Sequence, residues 1–212
     1  MRGADGMQRV MVYVDGFNLY FGLKSKGWRR FYWLDLRRLA ENLLQADQRL
    51  VGVRYFTARI SARPGNPDKP KRQATFLEAL ETLPDLNIHY GHYLAKQRNC
   101  FKCGAAWETH EEKMTDVNIA VELLGDAQDD RFDTAIIISG DSDLTTPVQA
   151  VRQRYPEKRV IVAFPPDRNS VQLRKAATDA FRIGRKKFKD SQFPEQVTKR
   201  DGFVLRRPPE WR

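Results

Sequence analysis

Four aspartates are singled out by where they stand. Asp15 closes the apolar run "RVMVYVD", Asp141 and Asp143 follow the run "AIIIS" across one glycine, and Asp116 lies in "TDVNIAVELL". Two carboxylates brought to ~4 Å repel by about 4 kcal/mol at an effective dielectric of 20. A cluster of them takes up protons or recruits a cation, and an all-oxygen ligand set suits Mg²⁺ or Mn²⁺. Such an ion beside a basic surface is equipment for cutting a phosphodiester, one metal activating water and a second stabilising the leaving oxygen. Each aspartate also has a plainer role open to it. Asp143 can cap the following helix, Asp15 can start a turn, and Asp116 can complement a helix dipole.

Convergence depends on the elements that carry these residues. Residues 9–15, 50–60, 133–139 and 159–166 are short, β-branched or continuously apolar, as strands covered on both faces are. Helical spacing appears over 34–45, 71–83, 115–127 and the stretch after Asp143, with a further helix near 170–178 and a last short strand at "AFRIG". "NIHYGHYLA" (87–95) alternates like one strand, and a polar loop follows to about residue 111. Strands alternating with helices imply an α/β fold with a parallel sheet, in which ligands sit beyond the carboxyl ends of the strands. If the first and the Ile-rich strands are central, Asp15, Asp141 and Asp143 share one sheet edge. Asp116 joins them if the preceding segment crosses that edge.

The formal net charge is +10, and its distribution is uneven. From Arg152 to Arg212 there are 17 Lys and Arg against 7 Asp and Glu, whereas the preceding residues balance at 20 and 20. The density peaks at "RIGRKKFK" (182–189), which favours a polyanionic partner, nucleic acid before others, over a merely solubilising tail. No apolar run approaches the ~18 residues of a membrane helix, and the first residues lack a signal-peptide cleavage pattern. A cytoplasmic protein is expected. Dinucleotide, P-loop, HExxH and GxSxG signatures are missing.

"VYVDGFNLY", "EEKMTDVNIAVELL" and "DTAIIISGDSDLTTPV" together resemble the NYN domain, a branch of the PIN-like nucleases. The resemblance implies a Rossmann-like three-layer αβα sandwich with a mainly parallel central sheet over 9–185, followed by a loosely packed basic extension at 186–212. It implies a metal-dependent endoribonuclease in which Asp15, Asp116, Asp141 and Asp143 hold Mg²⁺ or Mn²⁺. Asn18 would orient a carboxylate or phosphate, Ser139 would support the strand end, and Lys113 would lie near the scissile phosphate. Arg185, Lys186 and Lys187, where the domain meets the extension, are the candidate RNA-gripping cations. Pairing into a homodimer is common in PIN-like proteins, and no residue pattern marks an interface.

Every Cys and His falls between residues 89 and 110. The CxxC of "CFKCG" is half of a tetrahedral site, so Cys100, Cys103 and His110 are candidate ligands of structural zinc in a loop at 96–111. A metal-free thiol pair or a redox switch is the alternative. His89 and His92 should face opposite sides of a single strand. "KGWRRFYW" (26–33) offers rings either to bases or to the core. Two rival functions remain. A non-catalytic RNA-binding regulator could keep the same fold, and a "DSD" triplet also holds metal in nucleotide-sugar glycosyltransferases, which leaves Asp15 without a role.

Overall fold

The chain begins its fold with β1 (Gln8–Asp15) and α1 (Gly16–Ser25), followed by α2 (Leu36–Leu43), β2 (Gln48–Thr57), α3 (Lys69–Leu80) and β3 (Leu86–Tyr90). A hairpin of β4 (His92–Asn99) and β5 (Ala106–Lys113) leads to α4 (Thr115–Gln128) and β6 (Thr134–Ile138). Then come α5 (Thr145–Arg154), β7 (Arg159–Phe164), α6 (Val171–Ala176), β8 (Asp179–Arg182), α7 (Arg185–Asp190), β9 (Gln196–Thr198) and β10 (Val204–Arg206). The computed structural model describes residues 6–61 and 67–212, without the side chains of 93–96, 98 and 107–112.

Six strands form one sheet in the order β3-β2-β1-β6-β7-β8, all parallel. Val10, Val12 and Val14 of β1 pack with α1, α2 and α3 on one face, while Met11 and Tyr13 pack with α4, α5 and α6 on the other. The result is the expected PIN-like αβα sandwich. Strand order reverses between β1 and β6, the position where this architecture opens a crevice at the carboxyl ends of its strands.

Two expectations are corrected. The segment 87–95 is two strands, and the expected polar loop is the β4–β5 hairpin, antiparallel from His92↔Lys113 to Asn99↔Ala106. Its turn closes with Gly104 N–H donating to Cys100 O at 2.9 Å, Gly104 lying at φ +70°. Beyond Ala95 the ribbon is mostly polar and lacks the apolar alternation by which a half-buried strand is recognised, so it reads as loop. Consequently His89 and His92 lie in different strands.

The second correction concerns the basic extension, which is packed. Phe188, Phe193, Val197 and Leu205 are buried in the core cluster that contains Trp33 and Leu34. Each contributes about 2 kcal/mol of apolar burial. Trp33 Nε1–H donates to Pro194 O at 2.7 Å, and Phe193 N–H donates to Trp33 O at 3.1 Å. The "KGWRRFYW" rings are what it packs against. Phe31 and Trp33 face the core, whereas Trp28 and Tyr32 are half-buried beside it.

Candidate active site

Asp15 ends β1 and caps α1, its Oδ1 accepting from Asn18 N–H at 2.9 Å. Its Oδ2 accepts from the Ser139 hydroxyl at 2.8 Å, and that hydroxyl accepts from Asp141 N–H at 3.0 Å. Asn18 Oδ1 accepts from Gly140 N–H at 2.9 Å. These bonds stitch the ends of β1 and β6 together. Ser139 is fully buried and Asp15 nearly so, at 4% exposure. Asp141 caps the short turn at Ser142–Leu144, its Oδ1 accepting from Asp143 N–H at 3.0 Å.

Asp116 enters from the opening turn of α4, after Met114 reverses the chain in the left-handed region at φ 76°. The helix is fixed to the sheet by Asp126, which is buried and accepts from Tyr13 Oη at 2.7 Å and Arg54 Nε at 2.6 Å. Arg54 also pairs with Glu122 at 2.9 Å. This anchor holds the position of α4, and with it Asp116.

One oxygen from each of Asp15, Asp116 and Asp141 lies within 4.8 Å of the others. Asp143 falls outside that group and is exposed. Burial raises the Asp15 pKa to about 7, the neighbouring negative charges of Asp116 and Asp141 adding to it and the bonds from Asn18 and Ser139 opposing it. Three carboxylates on a shared edge, one of them buried and resisting ionisation, form an oxygen donor set suited to a hard divalent cation.

The expected cations are dispersed. Lys113 is exposed at the end of β5, two residues before α4. The Arg185 guanidinium lies 5.8 Å from the Trp28 ring, and Lys186 pairs with Asp190. Lys187 donates to Asn42 O in the last turn of α2, the helix that leads into the amino end of β2. Lys187 therefore sits toward the sheet edge opposite the carboxylates. Among Cys100, Cys103 and His110, the cysteines are free at the hairpin turn, and the side chain of His110 lies outside those described. His89 is occupied elsewhere, stacked on Phe56 at 4.8 Å and 3.3 Å from Arg54 Nη1.

One site neighbour escaped the sequence analysis. Arg168, in the loop after β7, lies against Gly140, where an added Cβ would meet Arg168 Cβ at 2.7 Å and Asn169 N at 2.9 Å. Gly22 of α1 makes a similar approach, where an added Cβ would lie 2.6 Å from Pro166 O. Two glycines thus bring this loop to the carboxylate edge. Arg168 Nε is buried and has no hydrogen-bond partner among the described residues. The available signal was position, since "FPPDRN" follows a strand ending at the same edge.

Comparison with known proteins agrees with the fold. The chain is 30% identical to 6-hydroxy-3-succinoylpyridine 3-monooxygenase HspA of Pseudomonas putida (strain DSM 28022 / S16), over 82% of this chain and 64% of that protein. The chain therefore spans less than two thirds of that relative's length. A crystal structure of a protein of unknown function from Vibrio parahaemolyticus RIMD 2210633 superposes with a TM-score of 0.56 at 21% identity, covering 90% of this chain and 99% of that one. The NYN domain family matches residues 9–184, a span that includes all four aspartates, and the chain belongs to that family.

Proposed function

We propose that the chain is a metal-dependent ribonuclease that hydrolyses RNA phosphodiesters at the crevice between β1 and β6. The observation that carries this reading is the convergence of Asp15, Asp116 and Asp141 from three elements onto one edge. Mg²⁺ or Mn²⁺ would be held by these three, and when bound it supplies an activated water and polarises the phosphoryl oxygen. Ser139 and Asn18 fix the Asp15 carboxylate and the Asp141 backbone, so the ligand geometry is set before substrate arrives. Asp143 stands outside these three with its N–H tied to Asp141. Arg168, beside Gly140, is placed to meet negative charge developing on the phosphate, and Lys113 can approach from the β5 end.

The test is incubation of single-stranded RNA with Mn²⁺ or Mg²⁺, with and without chelator, for wild type, Asp15→Asn and Asp141→Asn. Chelator-sensitive cutting lost in both variants supports the nuclease. RNA binding without cutting in either metal supports a regulator instead. The monooxygenase name of the Pseudomonas relative motivates a second reading, oxygen insertion into an aromatic ring. Incubating 6-hydroxy-3-succinoylpyridine with the protein, a reduced nicotinamide and O₂ decides it, and substrate-dependent oxidation of the nicotinamide with label from ¹⁸O₂ appearing in a pyridine product that has lost the succinoyl group would favour that reading over RNA cleavage.

A further inference from the structure

A second concavity opens beside the carboxylates and is used by none of the steps above. It is a cleft of about 770 Å³ between α1, α3 and the residues that follow β10. Gly16, the residue after Asp15, is part of its wall, as is Thr57 at the end of β2, the strand next to β1. The cleft thus starts at the same sheet edge as the carboxylates, on the α1 face. A volume of this size accommodates a nucleotide or a comparable small molecule.

Its chemistry is aromatic and cationic together. Tyr20 and Tyr32 lie 5.1 Å apart between ring centres, and Trp211 meets Tyr32 edge-on at 5.8 Å. Among the described residues, Lys24, Arg29, Lys69 and Arg72 line it against one carboxylate, Glu210, which pairs with Arg72 at 2.8 Å. Four cations against one anion suit an anionic ligand, and the rings suit a planar one. Nucleic-acid subsites that stack bases on aromatic side chains and grip phosphate with Lys or Arg have this composition.

The rim joins the cleft to the carboxylates. Phe21 is 41% exposed and has Lys24 Nζ and the Arg168 guanidinium each 5.9 Å from its ring. Arg168 in turn abuts Gly140, the residue before Asp141. A continuous path therefore runs from Asp141 through Arg168 and Phe21 to Tyr20. We propose that the cleft binds the nucleotide flanking the scissile phosphate, its base stacked among Tyr20, Phe21 and Tyr32 and its phosphate held by Arg29, Lys24 and Arg168. The assignment to a position beside the scissile bond rests on the ribonuclease reading; the nucleotide chemistry rests on the cleft alone.

The experiment titrates the full chain with AMP, UMP and ribose 5-phosphate by calorimetry in EDTA, which removes divalent cations. The variants are Arg29→Glu, Lys24→Glu and Tyr20→Leu, the first two being exposed charges whose replacement does not disturb the core. The nucleotides should bind at least tenfold more tightly than ribose 5-phosphate. Their affinity should fall at least tenfold in Arg29→Glu and in Tyr20→Leu, and should survive Asp141→Asn. Equal binding of ribose 5-phosphate, or unchanged affinity in both charge variants, overturns the proposal. RNA cleavage run in parallel separates the two claims. Cleavage in wild type without nucleotide binding overturns the cleft and leaves the nuclease reading standing. Nucleotide binding lost in the cleft variants, with no metal-dependent cleavage in wild type, overturns the nuclease reading and supports the cleft as a nucleotide site.

Discussion

Replacing Asp15 by Asn should stabilise the metal-free protein, and only at neutral to alkaline pH. The carboxyl group is buried, and its pKa rises from 3.8 to about 7. At about 1.4 kcal/mol per unit, ionising it in the folded state costs about 4 kcal/mol above pH 7. The sign follows from proton binding: between the two pKa values the folded state holds a proton that the unfolded state has released. Wild-type stability from this group is therefore complete below about pH 4 and declines as pH rises to about 7. Asparagine has no charge to bury and still caps α1, since Asn and Asp are comparable N-caps. With its Oδ1 kept on Asn18 N–H, the amide NH₂ faces Ser139 and cannot accept from the hydroxyl as the carboxylate does, a loss of about 1 kcal/mol. The net gain at pH 8 in EDTA is about 3 kcal/mol, equivalent to a Tm rise of roughly 6–12 °C for a chain of this size. At pH 5 the two effects nearly cancel. Thermal denaturation of both proteins in EDTA from pH 5 to 8 measures this. A variant equally or less stable than wild type at pH 8, or a difference constant with pH, would refute the claim that Asp15 is a buried carboxylate held against its tendency to protonate.

Three further outcomes follow from the same contacts. Gly140→Ala places a methyl 2.7 Å from Arg168 Cβ and 2.9 Å from Asn169 N, so loop and strand end must part; stability should fall by about 1–3 kcal/mol and RNA cleavage at least tenfold, read by denaturant melts and initial rates. Asp126→Leu removes the acceptor shared by Tyr13 and Arg54 and leaves the buried cation with Glu122 alone among these carboxylates, which should cost about 3–5 kcal/mol in urea unfolding. Lys187→Ala should leave the salt dependence of RNA binding unchanged, whereas Arg168→Ala should lower the slope of log K against log salt by about 0.7, measured by fluorescence anisotropy on single-stranded RNA.

The parts of the fold visible in the sequence are those whose physics is local. β1 and β6 show as apolar runs because strands covered on both faces have no polar side to interrupt them. The turn at "SGDSDL" marks a strand end, and the edge rule for parallel sheets then places Asp15 and Asp141 together. Asp116 was harder to place, because its position depends on the buried Arg54–Asp126–Tyr13 group, three residues scattered over 113 positions with no shared pattern. α1 was missed: "GFNLYFGLKS" contains two glycines and is apolar around most of its circumference, so it has no helical stripe. The basic extension looked loose because its charges outnumber its anchors. Phe188, Phe193, Val197 and Leu205 are spaced irregularly and find their sites only within the cluster that also holds Phe31 and Trp33. Arg168 carries no motif and acquires meaning from the two glycines that let its loop approach.

Crystals grown with millimolar Mn²⁺ and measured near the manganese absorption edge test the central claim most directly. An anomalous peak bonded to oxygens of Asp15, Asp116 and Asp141, and lost in Asp116→Asn, is the predicted result. Diffraction showing no manganese among these three, with the ion bound elsewhere or not at all, would contradict it.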